Sequence, residues 1–399
     1  MFLEIVLAVL LGLLAGTITG LVPGVHVNLV TALVMGGSSV LSSRLSSFAL
    51  ASFLVSMGMV HTFLDAIPSV FLGAPEDAYA LGVLPGHRYV LRGQGVMAVK
   101  LTVLGSLLSL VGVAVLSPVL FVVFPVLAGL VKGVVGWVLL GVVVFMLARE
   151  RRRVWGVVVF GLSSLLGVVV FASGVRDPLF PMLSGLFGVS TLVYSLFQRE
   201  SFPDQAVRSD MVVRWGVVVQ ACVLAVVAGS LTALLPGVGA ATAAVLALQL
   251  SRGLGDHGFM VLVGGISTVN FGASLITLAT IGRARNGVVV GVQSLLGRVG
   301  FADVFVLGVV GVVAGGVGVV LALFLAKRFV VLLRRVPYSW LAGGVVGFLV
   351  VLSAVLGGFR GLLVLVTAAG TGLIPAVTRT ARVHAMGCIM TPVMLSLLF

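Results

Sequence analysis

Residues 16–34 read GTITGLVPGVHVNLVTALV, and residues 229–247 read GSLTALLPGVGAATAAVLA. The leading glycine, a hydroxyl pair and a Leu–X–Pro–Gly–Val core align without a gap. A Pro–Gly break inside an apolar segment, once in each half, is the sequence pointer to a transport site between membrane repeats. Proline lacks an amide hydrogen and restricts the residue before it, so a helix ends there. Glycine lets the chain turn at little steric cost. Broken backbone survives at membrane depth only where protein buries it or water reaches it. Each motif therefore predicts a re-entrant helix–break–helix hairpin lining a cavity. The stretch after the first break, residues 24–35, makes only ~18 Å of helix at 1.5 Å per residue, too short to span.

Composition puts the rest of the chain in the same solvent. Sixty percent of the residues are hydrophobic, 9% are charged, and mean hydropathy is +1.30. A soluble domain carries about 25% charged residues, so a water-soluble fold is excluded and lipid is the solvent. About ten to twelve segments are long enough to span or re-enter. The expected fold is an all-α polytopic membrane protein of the cell membrane, built from two inverted repeats. The apolar N-terminus lacks the basic flank of a signal peptide, so residues 3–21 read as a retained first helix. Cys222 and Cys388 sit in apolar runs and read as inert buried thiols. Their spacing suits neither metal nor redox chemistry, so no metal site is expected. Net charge is +13. Positive-inside loops with anionic lipid explain it, and so does a basic mouth for an anionic substrate; no nucleic-acid partner is expected. Only three Asn occur, and a scarcity of thermolabile amides points to a hot habitat. It also makes Asn28 and Asn270 conspicuous, because both lie in repeated motifs.

The polar stretch QRESFPDQAVRSD (198–210) reads as a linker. Residues 1–198 form the first repeat, 199–210 the linker and 211–399 the second repeat. MGMVHTFLDAIPSVFLGAPEDA (57–78) echoes VGGISTVNFGASLITLATIGRA (263–284) when Gly73 is set on Gly282. His61 then falls opposite Asn270, and Asp65 opposite Ser274. A weaker echo pairs PMLSGLFGVS (181–190) with VHAMGCIMTP (383–392). Basic loops occur in one half only: RERRR (149–153) against the stretch near 354–360, KRFVVLLRR (327–335) against 118–128, and 85–100 against 290–302. Positive-inside sorting produces this when the halves insert with opposite topology. Both termini are then expected outside and the linker inside.

Three groups of residues could carry chemistry. Helices restarting after Pro23-Gly24 and Pro236-Gly237 expose free N–H groups with partial positive charge, and two such ends facing each other make an anion site. His26, Asn28 and Asn270 can donate to its oxygens, Gly239 admits close approach, and Thr242 offers a hydroxyl. The alternative is a break that only serves packing. The second group is His61 and Asp65, four apart on one helix face. An intramembrane carboxylate is a functional hypothesis by default. It can carry a proton, hold Na⁺ or simply accept from His61. Opposite them Ser274 and Thr277 offer neutral oxygens that suit a hard cation. Na⁺ or H⁺ coupling is thus open, and no other cofactor is expected. The third group, Glu76 and Asp77, lines a gate or ends a solvated loop, and His87 and Arg88 follow it. Arg283 and Arg285 could cap the second motif from the aqueous side. His257 and His384 sit near loop charges and receive no role.

At these residues the chain resembles the TctA-type large permease of tripartite tricarboxylate transporters, and its archaeal branch most. The likeness rests on GLVPGVHVN (20–28), AIPSVFLGAP (66–75), DPLFPMLSGLFGVS (177–190), LLPGVG (234–239) and NFGASLITLATIG (270–282). It implies an inverted-repeat permease for organic anions such as tricarboxylates, working with a small membrane subunit and an extracytoplasmic binding protein. The chain departs from that pattern in being short, in Gly73-Ala74-Pro75-Glu76 and Gly282-Arg283 where the permease has Gly-Ile-Pro-Gly, and in Val269-Asn270 where it has paired amides. A translocase for a polyprenyl phosphate or other anionic lipid competes, since its head group suits the same helix ends. A membrane phosphate-ester hydrolase using His61, Asp65, Glu76 and His87 is a third option, but no nucleophile–base–orienter set or metal motif is visible, and no enzyme is expected. Oligomeric state is open.

Overall fold

The computed structural model describes residues 2–22, 27–41, 43–72, 83–131, 133–175, 178–197, 203–206, 211, 213–234, 243–244, 247, 253–284, 286–333, 335 and 337–399. All regular structure among them is helical, and nine helices are long and apolar enough to cross a membrane. The first half holds α1 (Phe2–Leu21), α2 (Val27–Gly36), α3 (Ser47–Leu64), α4 (Ala66–Leu72), α5 (Val83–Leu91) and α6 (Gly95–Val131). It continues with α7 (Val135–Arg149), α8 (Arg153–Ala172), α9 (Leu179–Leu183), a π-helical stretch Ser184–Val189, and α10 (Ser190–Phe197). The second half holds α11 (Trp215–Leu234), α12 (Gly255–Ile281), α13 (Gly287–Leu296), α14 (Phe301–Leu333) and α15 (Tyr338–Thr378). A 3₁₀ turn (Arg382–Met386) and α16 (Gly387–Leu398) follow.

Local signals set several ends. Ser46 accepts from the Ala49 N–H at the start of α3, and Asn286 accepts from the Val289 N–H at the start of α13. Gly282 closes α12 in the left-handed conformation. Gly358, at φ 61 and ψ −155, divides α15 into two arms. Burial sorts the long helices. Helices α3 and α12 are buried along most of their length, whereas α1, α6 and α14 turn stripes such as Leu7/Leu10/Leu14, Val115/Val119/Val122 and Val309/Val313/Val320 outward. Outward apolar stripes on spanning helices face lipid.

Buried apolar side chains form two clusters, one around α1, α3, α6 and α11–α14, the other around α7–α9, α15 and α16. Small residues make the contacts in both, as expected where lipid removes the hydrophobic drive between helices. Positions that align in the sequence make matching contacts. A Cβ on Gly16 would meet Met57 O and Val60 Cβ, and one on Gly229 would meet Ile266 O and Val269 Cβ, the aligned residues. In the second cluster the matches cross between halves. Gly167 of α8 presses on Cys388 O and Gly372 of α15 on Leu186 O; Gly185 presses on Leu365 O and Gly387 on Phe160 O.

Corresponding helices also run antiparallel where they touch. Gly58 of α3 lies against the Phe271 ring of α12, and Thr62 Oγ1 is 3.4 Å from Thr268 Oγ1, so one helix ascends as the other descends. In α6 and α14, Leu110 meets Gly315, and Phe121 stacks edge-on against Phe301 at 4.9 Å. In α8 and α15 the bonds are reciprocal. Arg152 Nη1 donates to Thr378 O at 2.6 Å, and Arg360 Nη1 donates to Ser173 O at 2.9 Å. Each arginine sits near the start of its arm and caps the carbonyl end of the other. The polar linker is held rather than loose at one point. Gln205 is buried, accepting from Gly95 N and donating to Val90 O, beside the bond from Ala206 N to Gly93 O.

Candidate functional site

The described residues that flank the two breaks form a matched pair of polar contacts. Thr19, one turn before Pro23, donates to Gly16 O at 3.3 Å, and its Oγ1 lies 3.1 Å from His61 Nδ1. Thr232, one turn before Pro236, donates to Gly229 O at 2.8 Å and accepts from Asn270 Nδ2 at 2.8 Å. The same hydroxyl, on the same kind of helix end, thus holds an imidazole in one copy and an amide in the other. Close packing makes this possible. Gly20 lets α1 approach the backbone of α3 at His61 and Asp65, as Gly229 lets α11 approach α12.

Asp65 is 2% exposed and His61 4%. Asp65 caps the C-terminus of α3, its N–H bonded to His61 O, and its Oδ2 stands 4.0 Å from His61 Nε2. With both ring nitrogens protonated, His61 would bridge Thr19 and Asp65. Opposite, Ser274 Oγ donates to Asn270 O at 2.7 Å, and Thr277 Oγ1 lies 2.8 Å from Ser274 O and 3.2 Å from Arg283 O. Their protons are used by backbone, which leaves hydroxyl lone pairs as their free chemistry. The link to Arg283 runs through its backbone carbonyl.

Asn28 is exposed on α2, and its amide oxygen packs against Gly287 at the first residue of α13. It therefore sits where the first half meets the second. Pro23, Gly24, His26, Glu76, Asp77, Pro236, Gly237, Gly239, Thr242 and Arg285 lie outside the described residues. So do the helix–break–helix turns themselves. Thr19 and Thr232 were not singled out from sequence. Their signal was present, because both copies keep threonine at that position, but the partner of each came from another helix.

Two further polar clusters stand at helix ends. Arg88 Nη2 is 3.0 Å from Asp256 Oδ1, Arg92 Nη1 is 3.9 Å from Oδ2, and Tyr89 Oη is 2.9 Å from His257 Nδ1. Burial, then the Asp256 carboxylate, pushes the Tyr89 phenol up to about 12. The second cluster joins the α7–α8 loop to the turn after α15. Glu150 Oε2 lies 2.9 Å from His384 Nε2 and accepts from Ala381 N at 3.2 Å, while Oε1 accepts from Arg152 N at 3.2 Å. Burial pushes the Glu150 carboxyl up, but the bonds from His384, Arg152 and Ala381 together outweigh it and hold it below the ordinary carboxylate value. His257 and His384 are thus both engaged, and His384 is buried, contrary to the expectation of idle loop histidines. Sequence spacing carried no sign of the pair with Glu150, because the partners come from opposite halves. No group of three metal-ligating side chains occurs among the described residues.

Comparison with known proteins agrees with this helical, membrane-embedded arrangement. The uncharacterized protein MJ1079 of Methanocaldococcus jannaschii is 26% identical over 333 residues, which cover 80% of this chain and 79% of that protein. No solved structure matches the chain. The family model for the tripartite tricarboxylate transporter TctA family matches residues 6–387. A match across nearly the whole length, on nine apolar helices, means that the chain belongs to the tripartite tricarboxylate transporter TctA family and is an integral membrane transporter, not an enzyme.

Proposed function

We propose that this chain is a secondary permease for organic anions such as tricarboxylates, and that the anion binds between the breaks at Pro23-Gly24 and Pro236-Gly237. One observation carries the reading: Thr19–His61 and Thr232–Asn270 are the same contact, made one turn before each break. Two breaks preceded by the same contact, each made to one of two crossing, buried helices, are what a site between repeats would require. The repeats, 1–198 and 211–399 with the linker 199–210 between, are proposed to be inverted. Support comes from the antiparallel crossings of α3 with α12, α6 with α14 and α8 with α15. A pseudo-twofold axis along the membrane normal would leave corresponding helices parallel, whereas an axis in its plane reverses them. On this reading both termini face outward at the cell membrane and the basic loops face the cytoplasm.

Within that frame the helix restarts supply N–H groups to the anion, with His26, Asn28 and Asn270 as side-chain donors, Gly239 admitting close approach and Thr242 adding a hydroxyl. His61 and Asp65 are the groups that can change protonation or attract a cation, so coupling to H⁺ or Na⁺ is assigned to them. Ser274 and Thr277 complete a neutral oxygen face, and Glu76 and Asp77 gate the first hairpin. The partners proposed are a small membrane subunit and an extracytoplasmic binding protein, in keeping with the tripartite family.

Uptake of labelled citrate into proteoliposomes, with Na⁺ and H⁺ gradients imposed separately, tests the reading. Saturable uptake that follows one gradient and is lost in His26→Ala supports it. Wild-type uptake in His26→Ala removes that side chain from the site. Transfer of an anionic lipid between leaflets without citrate uptake overturns the permease reading.

A further inference from the structure

The turn after α15 carries a buried charge that the described residues around it do not pair. Thr378, Thr380, Arg382 and His384 are all buried, while Arg379 and Ala381 between them are exposed. Arg379, at φ 53, is the non-glycine residue with positive φ among the described residues, and it starts this alternation. Three of the inward side chains have partners. Thr378 and Thr380 pair through their hydroxyls at 2.9 Å, and His384 lies 2.9 Å from Glu150. Arg382 is different. It is 8% exposed, and among the described residues its guanidinium makes a single hydrogen bond, from Nη1 to Thr191 Oγ1, and no ion pair. A guanidinium carries five N–H donors and a fixed charge. Buried charges occur when paired, because removing them from water is costly otherwise.

Among the described residues, the charged groups of this cluster do not supply the missing anion. Glu150 is occupied by His384, Ala381 N and Arg152 N. Arg152 adds positive charge and is turned to Thr378 O, and exposed Arg379 adds more. The remaining neighbour among the described residues, Tyr194, brings a phenol and not a carboxylate. Nor does the fold itself need an arginine here. The aligned positions in the first half are Phe180 and Met182, opposite Arg382 and His384. Both copies keep the same glycine packing, Gly185 on Leu365 O and Gly387 on Phe160 O. Thr191 sits just past the π-helical stretch Ser184–Val189 and donates to Phe187 O, inside that stretch. Such stretches gather at functional sites.

We propose that Arg382 anchors a second anion site, in the α7–α10/α15–α16 cluster and separate from the Pro–Gly breaks, and that its ligand is the carboxylate of a small soluble molecule. The planar fork offers two parallel N–H groups that match a carboxylate edge. One guanidinium balances one negative charge, which favours a carboxylate over a doubly charged phosphate. Thr191 engages one of the fork's donors, and the others make no further hydrogen bond among the described residues.

Isothermal titration of acetate and of citrate into the full chain, in nanodiscs of neutral phosphatidylcholine, tests the site. Arg382→Gln should weaken carboxylate binding at this site at least tenfold while helicity stays that of wild type. Should Arg382→Gln fail to fold, Arg382→Lys keeps the charge without the fork, and the same loss is expected. Asn270→Ala, beside the second break, should leave the Arg382-dependent binding at wild-type affinity, which separates this site from the hairpin reading. Wild-type carboxylate binding in the Arg382 variants overturns the proposal. So does Arg382-dependent stabilisation by phosphatidylglycerol with no response to acetate or citrate.

Discussion

Thr19 rests against the imidazole of His61, and Thr232, at the same place in the second copy, rests against the amide of Asn270. The scaffold around each is shared. The same glycine lets the first helix of each pair approach the second, and the same threonine bonds back to that glycine's carbonyl. What differs is the capacity to titrate. The first copy adds Asp65 behind His61, whereas the second adds the hydroxyl of Ser274 behind Asn270. On the proposed reading, a duplicated frame with acid–base groups in one copy only would give coupling a definite address and leave the other copy to hold an anion without competing for protons. The second cluster repeats the lesson. Arg382 and His384 occupy positions whose counterparts are Phe180 and Met182, so these two polar side chains too occur in one copy only.

The sharpest way to break the comparison is to attack the shared frame. Gly167→Val and Gly372→Val place side-chain atoms on the backbone carbonyls of Cys388 and Leu186. Overpacking typically costs about 1–3 kcal/mol, and contact with fixed backbone goes to the top of that range or beyond. Both variants should fail to give a monodisperse, helical protein, and to equal degree. Unequal damage would mean that the two contacts are not equivalent. Gly161→Ala, with open space beside an exposed helical position, is the control and should gain up to about 1 kcal/mol.

Next in size is the functional asymmetry. Asp65→Asn should leave a folded protein whose uptake no longer depends on the ion gradient, measured in proteoliposomes. Unchanged coupling would make the carboxylate structural. In the other copy Asn270→Ala removes one half-buried hydrogen bond and should cost about 1 kcal/mol in resistance to sodium dodecyl sulfate, with gradient dependence intact. Loss of coupling in both variants would erase the distinction between the copies.

A smaller effect concerns the second cluster. The Glu150 carboxyl is held below its unfolded value of about 4.3. A group depressed by folding contributes stability above its unfolded value and loses it as pH falls through the folded one. Thermal unfolding of the wild type should therefore show a loss confined to acid below about pH 4, and Glu150→Gln should lack it. The weakest expectation is for Asp256→Asn. Its arginine partners are about half exposed, so the ion pairs should contribute under about 1 kcal/mol, fading as salt rises.

Much of the fold was legible in the chain itself. Apolar length marked the spanning helices, and the alignment of Gly73 with Gly282 put His61 opposite Asn270 before any contact was known. The candidate site was legible in part. His61, Asp65, Ser274 and Thr277 are buried on α3 and α12 and the short segment after α3. Thr19 and Thr232 escaped, because a threonine in an apolar helix ordinarily bonds its own backbone and only a neighbouring helix gives it another use. His384 escaped for a related reason. Its partner lies 234 residues away in the other half, and local charge patterning cannot see across that distance.

Sequence alone determined the solvent and the helical class, because both are written in one-dimensional quantities, hydropathy and length, and the spacing of the Pro–Gly pairs pointed to two repeats. Only the tertiary structure decided which helices cross, that corresponding helices run opposite ways, and that Arg382 is buried without an ion-pair partner among the described residues. Those facts depend on which small residues let two backbones meet, and that choice is made jointly by segments far apart in the chain.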